Sequence, residues 1–79
     1  MICAEVSLYP LKTDMASSVI NQSIESLHGY GVDYTVGSMS THVEGSEDQV
    51  WDSLKSMFRK AQQNGEISMV VTITNAASH

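Results

Sequence analysis

The chain has 79 residues, 42% of them hydrophobic, and nine acids against four bases give it a formal charge of −5. That length bounds it to one small domain, 1–79, which buries only about 60–65% of the surface its unfolded chain exposes, so the core is marginal and self-association is one remedy. The charge excludes the basic patch that nucleic acid or an anionic membrane surface requires, and no run approaches the roughly 18 apolar residues of a membrane span.

A single cysteine, Cys3, excludes an internal disulfide and a cluster of zinc-binding thiolates, and points to a reducing, cytoplasmic compartment. The start, MICAEVSLYP, has no basic region and contains Glu5, so no signal peptide is expected.

Residues 2–9, ICAEVSLY, alternate: Ile2, Ala4, Val6 and Leu8 point one way and Cys3, Glu5, Ser7 and Tyr9 the other. This predicts a half-buried strand ended by Pro10. Residues 15–28 carry Ala16, Val19, Ile20, Ile24 and Leu27 at the spacing of one helical face, with Asp14 as N-cap and Gly29 or Gly31 as the stop. Residues 32–37 alternate again, placing Val32, Tyr34 and Val36 together. After the turn SMS, a strand over Thr41 to Glu44 completes a hairpin, with Gly37 as a bulge near its end.

Residues 46–64 give the strongest local signal. Ser46 and Gln49 match a capping box. Val50, Trp51, Leu54, Met57, Phe58 and Ala61 form one apolar stripe, so Trp51 and Phe58 are expected in the core. Glu47 and Asp48 open this helix, Arg59 and Lys60 lie near its end, and Asn64-Gly65 closes it. Residues 66–74, EISMVVTIT, form the last strand, with Ile67, Met69, Val71 and Ile73 on one side; NAASH is read as a frayed end.

The order β-α-β-β-α-β predicts an α+β, ferredoxin-like sandwich: a four-stranded antiparallel sheet of spatial order 4-1-3-2 with both helices on one face. The helices are expected to cover the side bearing Val6, Val36, Val43 and Val71. The uncovered side then carries Cys3, Glu5, Ser7 and Tyr9; Ser40, His42 and Glu44; Asp33 and Thr35; and Ser68, Val70, Thr72 and Thr74. Glu5 and Glu44 fall there on neighbouring central strands. If a second subunit covers that face, the two carboxylates must be paired, hydrogen-bonded or protonated, and a small cationic or amine-bearing ligand satisfies them. His42 and Thr35 share the face and join the candidate ligand-binding set.

The plainer readings stand beside this one. Glu5 and Glu44 are equally ordinary solvated acids by pattern alone. His28 reads as an exposed residue of a last helical turn, and His79 as terminal. Cys3 reads as a small strand residue with no identifiable base. The three histidines are scattered, and no His/Cys/acid spacing resembles a zinc site, so no metal is expected. No enzymatic constellation emerges: there is no nucleophile elbow and no glycine-rich phosphate loop, and the first loop has Lys12 where the acylphosphatase version of this topology needs arginine.

The segments AEVSLYPL (Ala4 to Leu11) and SMSTHVEG (Ser38 to Gly45), with the closing VVTITN, resemble the thiamine-binding, YkoF-like family over about residues 2–74. The family shares an alanine-glutamate-hydrophobic-small-hydrophobic-x-proline start and a methionine-glycine-threonine-x-hydrophobic-glutamate-glycine segment, here Met39-Ser40-Thr41-His42-Val43-Glu44-Gly45. Ser40 departs from the usual glycine, and relatives run on into a charged tail after the last strand. The resemblance implies a ferredoxin-like fold assembled as a homodimer or homotetramer. It further implies non-enzymatic binding of thiamine or its hydroxymethylpyrimidine moiety in support of thiamine uptake or salvage; no cofactor, nucleic-acid partner or membrane insertion is expected. Carried over residue by residue, it implies Glu5, Ser7, Thr41 and Glu44 as ligand-binding positions. A carboxylate can stabilise the thiazolium cation or bond the aminopyrimidine, hydroxyls can fix ring orientation, and Tyr9 is the aromatic available for stacking. The alternatives are a structural or regulatory oligomer using the open face only for subunit contact, and a small hydrolase acting on a thiamine precursor.

Overall fold

The computed structural model describes residues 1–76. His79 and the last residues of the expected frayed end therefore lie outside the described residues. The elements follow the order β1 (Ile2–Pro10), α1 (Ala16–Glu25), a 3-10 turn (Ser26–Gly29), β2 (Asp33–Val36), β3 (Thr41–Gly45), α2 (Glu47–Gln62) and β4 (Ile67–Thr74). The four strands form one antiparallel sheet, β2-β3-β1-β4, the ferredoxin-like α+β arrangement that the element order predicts.

The alternation of β1 decides which side is covered. Ala4 and Val6 are buried and pack with Val43, Ile24, Leu27, Val50, Leu54 and Met57 in the core. Ser23 and Ser53 are fully buried as well. Each hydroxyl donates to a carbonyl of its own helix, Ser23 Oγ to Val19 O at 2.9 Å and Ser53 Oγ to Val50 O at 2.7 Å. Neither oxygen is thus left unpaired in the apolar interior.

The second helix starts as its sequence dictates. Gln49 N–H donates to Ser46 Oγ at 3.2 Å and Ser46 N–H donates to Gln49 Oε1 at 3.0 Å, the reciprocal capping box. Gly31, at φ +70°, passes so close that a Cβ there would lie 2.8 Å from Gln49 Nε2. The first helix differs from expectation. It begins at Ala16, which puts Met15 at the N-cap with no side-chain bond, while Thr13 Oγ1 accepts from Met15 N–H at 3.0 Å. Asp14 is left without a capping role. At the other end the regular helix stops at Glu25 and tightens into the 3-10 turn, which buries Leu27 completely.

Three further expectations are corrected. Gly37 is no bulge: the register Asp33↔Glu44 to Val36↔Thr41 is unbroken, and Gly37 N–H donates to Ser40 O at 2.9 Å to close the hairpin. Val36 points to the helix side but is 54% exposed, because it sits on an outer strand beside the turn, beyond the helices' cover. Trp51 is 46% exposed. One residue past the fully buried Val50, it is rotated about 100° around the helix and meets the margin of the sheet. There it lines an open apolar groove of about 310 Å³ with Leu54, Lys55, Met69, Val71 and Ile73. Phe58 is partly buried.

Candidate ligand-binding face

The register turns the uncovered side of the sheet into rows. Asp33, Glu44, Cys3 and Thr74 lie side by side across β2, β3, β1 and β4. In the next row stand Thr35, His42, Glu5 and Thr72, and beyond it Ser7 pairs with Val70. Directly paired residues of an antiparallel sheet share a face, so these rows follow from the pairing alone. Five of the six candidate residues, Glu5, Ser7, Thr35, His42 and Glu44, are therefore brought onto one surface.

Thr41 is not among them. It pairs with Val6, is 5% exposed and belongs to the helix side. It lines a small hollow of about 100 Å³ behind the hairpin turn, with Val6, Leu8, Ile20 and Ile24 among its walls. The physical reason is the two-residue period of a strand: a residue between Ser40 and His42 must point the opposite way.

Glu5 and Glu44 are diagonal neighbours, on the order of 7–8 Å apart at the backbone. Glu5 is exposed and accepts from Ser40 Oγ at 3.2 Å. Ser7 Oγ donates to the Met39 carbonyl at 3.4 Å, a second tie between β1 and the hairpin turn. Ser40 thus has a definite effect: its hydroxyl partly satisfies the Glu5 carboxylate. His42 Nε2 stands 3.8 Å from Glu44 Oε1, with the two side chains 46% and 30% exposed. Neither Glu5 nor Glu44 lines the groove by Trp51 or the hollow by Thr41. The described chain shelters Glu44 in part and leaves Glu5 in solvent.

The rows hold three carboxylates, Asp33, Glu44 and Glu5, and no lysine or arginine. The chain's four bases lie elsewhere: Lys12 pairs with Glu66 at 3.0 Å, and Lys55, Arg59 and Lys60 are on α2. A surface of that charge attracts cations. His28, the other described histidine, is engaged with Tyr34, whose hydroxyl lies 3.2 Å from His28 Nε2 with the rings edge to face.

One member of the surface was not legible as a functional group. Cys3 reads in sequence as strand filler, yet it pairs directly with Glu44 and is only 6% exposed. Its thiol, a His42 nitrogen and a Glu44 oxygen all lie within 4.8 Å of one another. Linear spacing could not show this, because β1 and β3 are joined through a helix and another strand. The signal that could have found it is the β1–β3 register.

The model of the family described as thiamine-binding protein matches residues 4–78. The chain belongs to this family. The match spans both strands that carry Glu5, Ser7, His42 and Glu44. Among solved structures, a Streptococcus pneumoniae protein is similar at 24% identity with a TM-score of 0.87, over 96% of this chain and 87% of that one. A domain of unknown function from Bacillus cereus is 28% identical with a TM-score of 0.83, covering 95% of this chain and 75% of its own. A proposed thiamine biosynthesis or salvage protein from Thermotoga maritima is 25% identical with a TM-score of 0.83, covering 95% and 83%. No curated protein matches the chain in sequence. No described helix is long and apolar enough to cross a membrane.

Proposed function

We propose that this chain binds thiamine or its hydroxymethylpyrimidine moiety on the open sheet face, without catalysis, in support of thiamine uptake or salvage in the cytoplasm. The observation that carries the reading is the joint placement of Glu5 and Glu44 on one lysine- and arginine-free surface. Membership of a thiamine-binding family and the thiamine role proposed for the Thermotoga maritima relative support the choice of ligand. In this reading the carboxylates meet the thiazolium cation or the pyrimidine amino group, Ser7 and Thr35 orient the ring, and His42 supplies a donor or acceptor at the rim. The working unit is a homodimer or homotetramer in which a second copy completes the shelter that the protomer lacks. No cofactor takes part.

Titration calorimetry with thiamine and with hydroxymethylpyrimidine tests the reading. The expected result is saturable binding that weakens in Glu5→Gln and Glu44→Gln. Absence of heat up to millimolar ligand would overturn it. A second reading, in which the open face serves only subunit contact, is favoured by the exposed Tyr9 and Val70 on it. It predicts that Glu5→Gln leaves assembly unchanged or improved and that no ligand shifts the melting temperature.

A further inference from the structure

The corner of the open face built by Cys3, His42 and Glu44 has a chemistry that an organic cation does not need. Cys3 and Glu44 stand directly opposite each other on β1 and β3, and His42 lies two residues along β3 on the same side. A buried thiol forms the floor, and a half-exposed imidazole and carboxylate form the rim. The His42–Glu44 separation of 3.8 Å is too long for a hydrogen bond, so this contact ties up the lone pairs of neither group. Sulfur, nitrogen and oxygen from three side chains converge within 4.8 Å.

We propose that this corner binds one divalent cation of the zinc class, held by the Cys3 thiolate, a His42 ring nitrogen and the Glu44 carboxylate, with the fourth position open to water. Tetrahedral Zn²⁺ takes bonds of about 2.3 Å to sulfur and about 2.0–2.2 Å to nitrogen and oxygen, which sets ligand atoms roughly 3.5 Å apart. From 4.8 Å the ligands need to close by about 1 Å. Rotation of the His42 and Glu44 side chains supplies that, while the paired backbones stay in register. The thiolate selects against Mg²⁺ and Ca²⁺, which prefer oxygen alone. The charges balance: thiolate and carboxylate together neutralise the ion, the thiol proton leaves to solvent, and Asp33, paired with Glu44 on β2, adds further negative potential. The inference shares His42 and Glu44 with the vitamin-binding reading and adds Cys3, which that reading does not use; the cobalt titration is run without thiamine, so its outcome does not depend on that reading.

The test titrates the full chain, stripped with EDTA and then freed of it, with Co²⁺ while following absorption, and then displaces the Co²⁺ with Zn²⁺. Expected are one equivalent per chain, an intense near-ultraviolet thiolate-to-cobalt band, and visible bands of tetrahedral cobalt, all lost on adding Zn²⁺. Cys3→Ser removes the near-ultraviolet band. His42→Gln and Glu44→Gln, both at partly exposed positions that keep the fold, weaken Zn²⁺ binding by about tenfold or more. His28→Gln leaves binding unchanged. The absence of a thiolate band at saturating Co²⁺, or Zn²⁺ affinity equal to the parent's in both His42→Gln and Glu44→Gln, would overturn the proposal.

Discussion

Replacing Glu5 by glutamine removes one negative charge and keeps the shape and hydrogen-bonding oxygen of the side chain. Its effect on thiamine affinity follows from how well water screens that carboxylate. Two unit charges about 4 Å apart interact by about 1 kcal/mol in water and about 4 kcal/mol at the effective dielectric of a partly buried site. Glu5 is exposed in the protomer, so binding to a single chain should lose about fivefold in Kd. If a second copy closes over the face, the loss climbs toward about a thousandfold. The size of the effect therefore reports whether the face is covered when ligand binds. Calorimetry on parent and variant gives the ratio directly, and sedimentation on the same samples shows whether assembly is unchanged. Repeating the titration near 1 M salt, where the screening length falls to about 3 Å, separates the cases again. The small loss vanishes with salt and the large one persists. Kd values within about twofold of the parent for both Glu5→Gln and Glu44→Gln would refute the electrostatic argument altogether.

Other consequences can be checked as simply. Ser40→Gly removes the hydroxyl that donates to Glu5 and should raise thiamine affinity by about two- to fivefold, the worth of one exposed hydrogen bond, measured by the same calorimetry. Gly31→Ala forces a side chain onto a left-handed backbone and into the Gln49 amide that completes the capping box; a loss of about 1–3 kcal/mol in urea unfolding is expected. Met57→Ala empties a fully buried core position and should cost about 2–5 kcal/mol, a large share of the 5–15 kcal/mol typical of a domain, seen as a lower urea midpoint at unchanged slope.

The fold was legible because each element carries its own local rule. β1 alternates without a break, α2 has a complete capping box, and the two helices each present one apolar stripe. What the sequence hid were effects of where one element ends against another. Trp51 has the composition of a core residue and the spacing of the stripe, yet the sheet runs out beneath it. Val36 alternates correctly and still lies beyond the helices. Asp14 is a good capping residue one position too early for the helix that forms. Periodicity gives the direction of a side chain; it does not give the extent of the layer that side chain meets.

The candidate site divides along the same line, and the division follows from counting. Within one strand, parity alone separates Thr41 from Ser40, His42 and Glu44, so a motif containing all four must serve both sides of the sheet. Between strands, parity is silent and only the register decides which side chains become neighbours. Pairing Glu5 with His42 places Cys3 opposite Glu44. A slip of one residue would put Cys3 opposite Val43 or Gly45 and send the whole of β3's polar set toward the helices, where Val43 is now completely buried. Burial of Val43 between β1 and the helices thus holds Cys3, His42 and Glu44 together on the far side. The apolar core fixes the polar surface, and a substitution that loosened Val43 would be expected to scatter the candidate rows before it unfolded the chain.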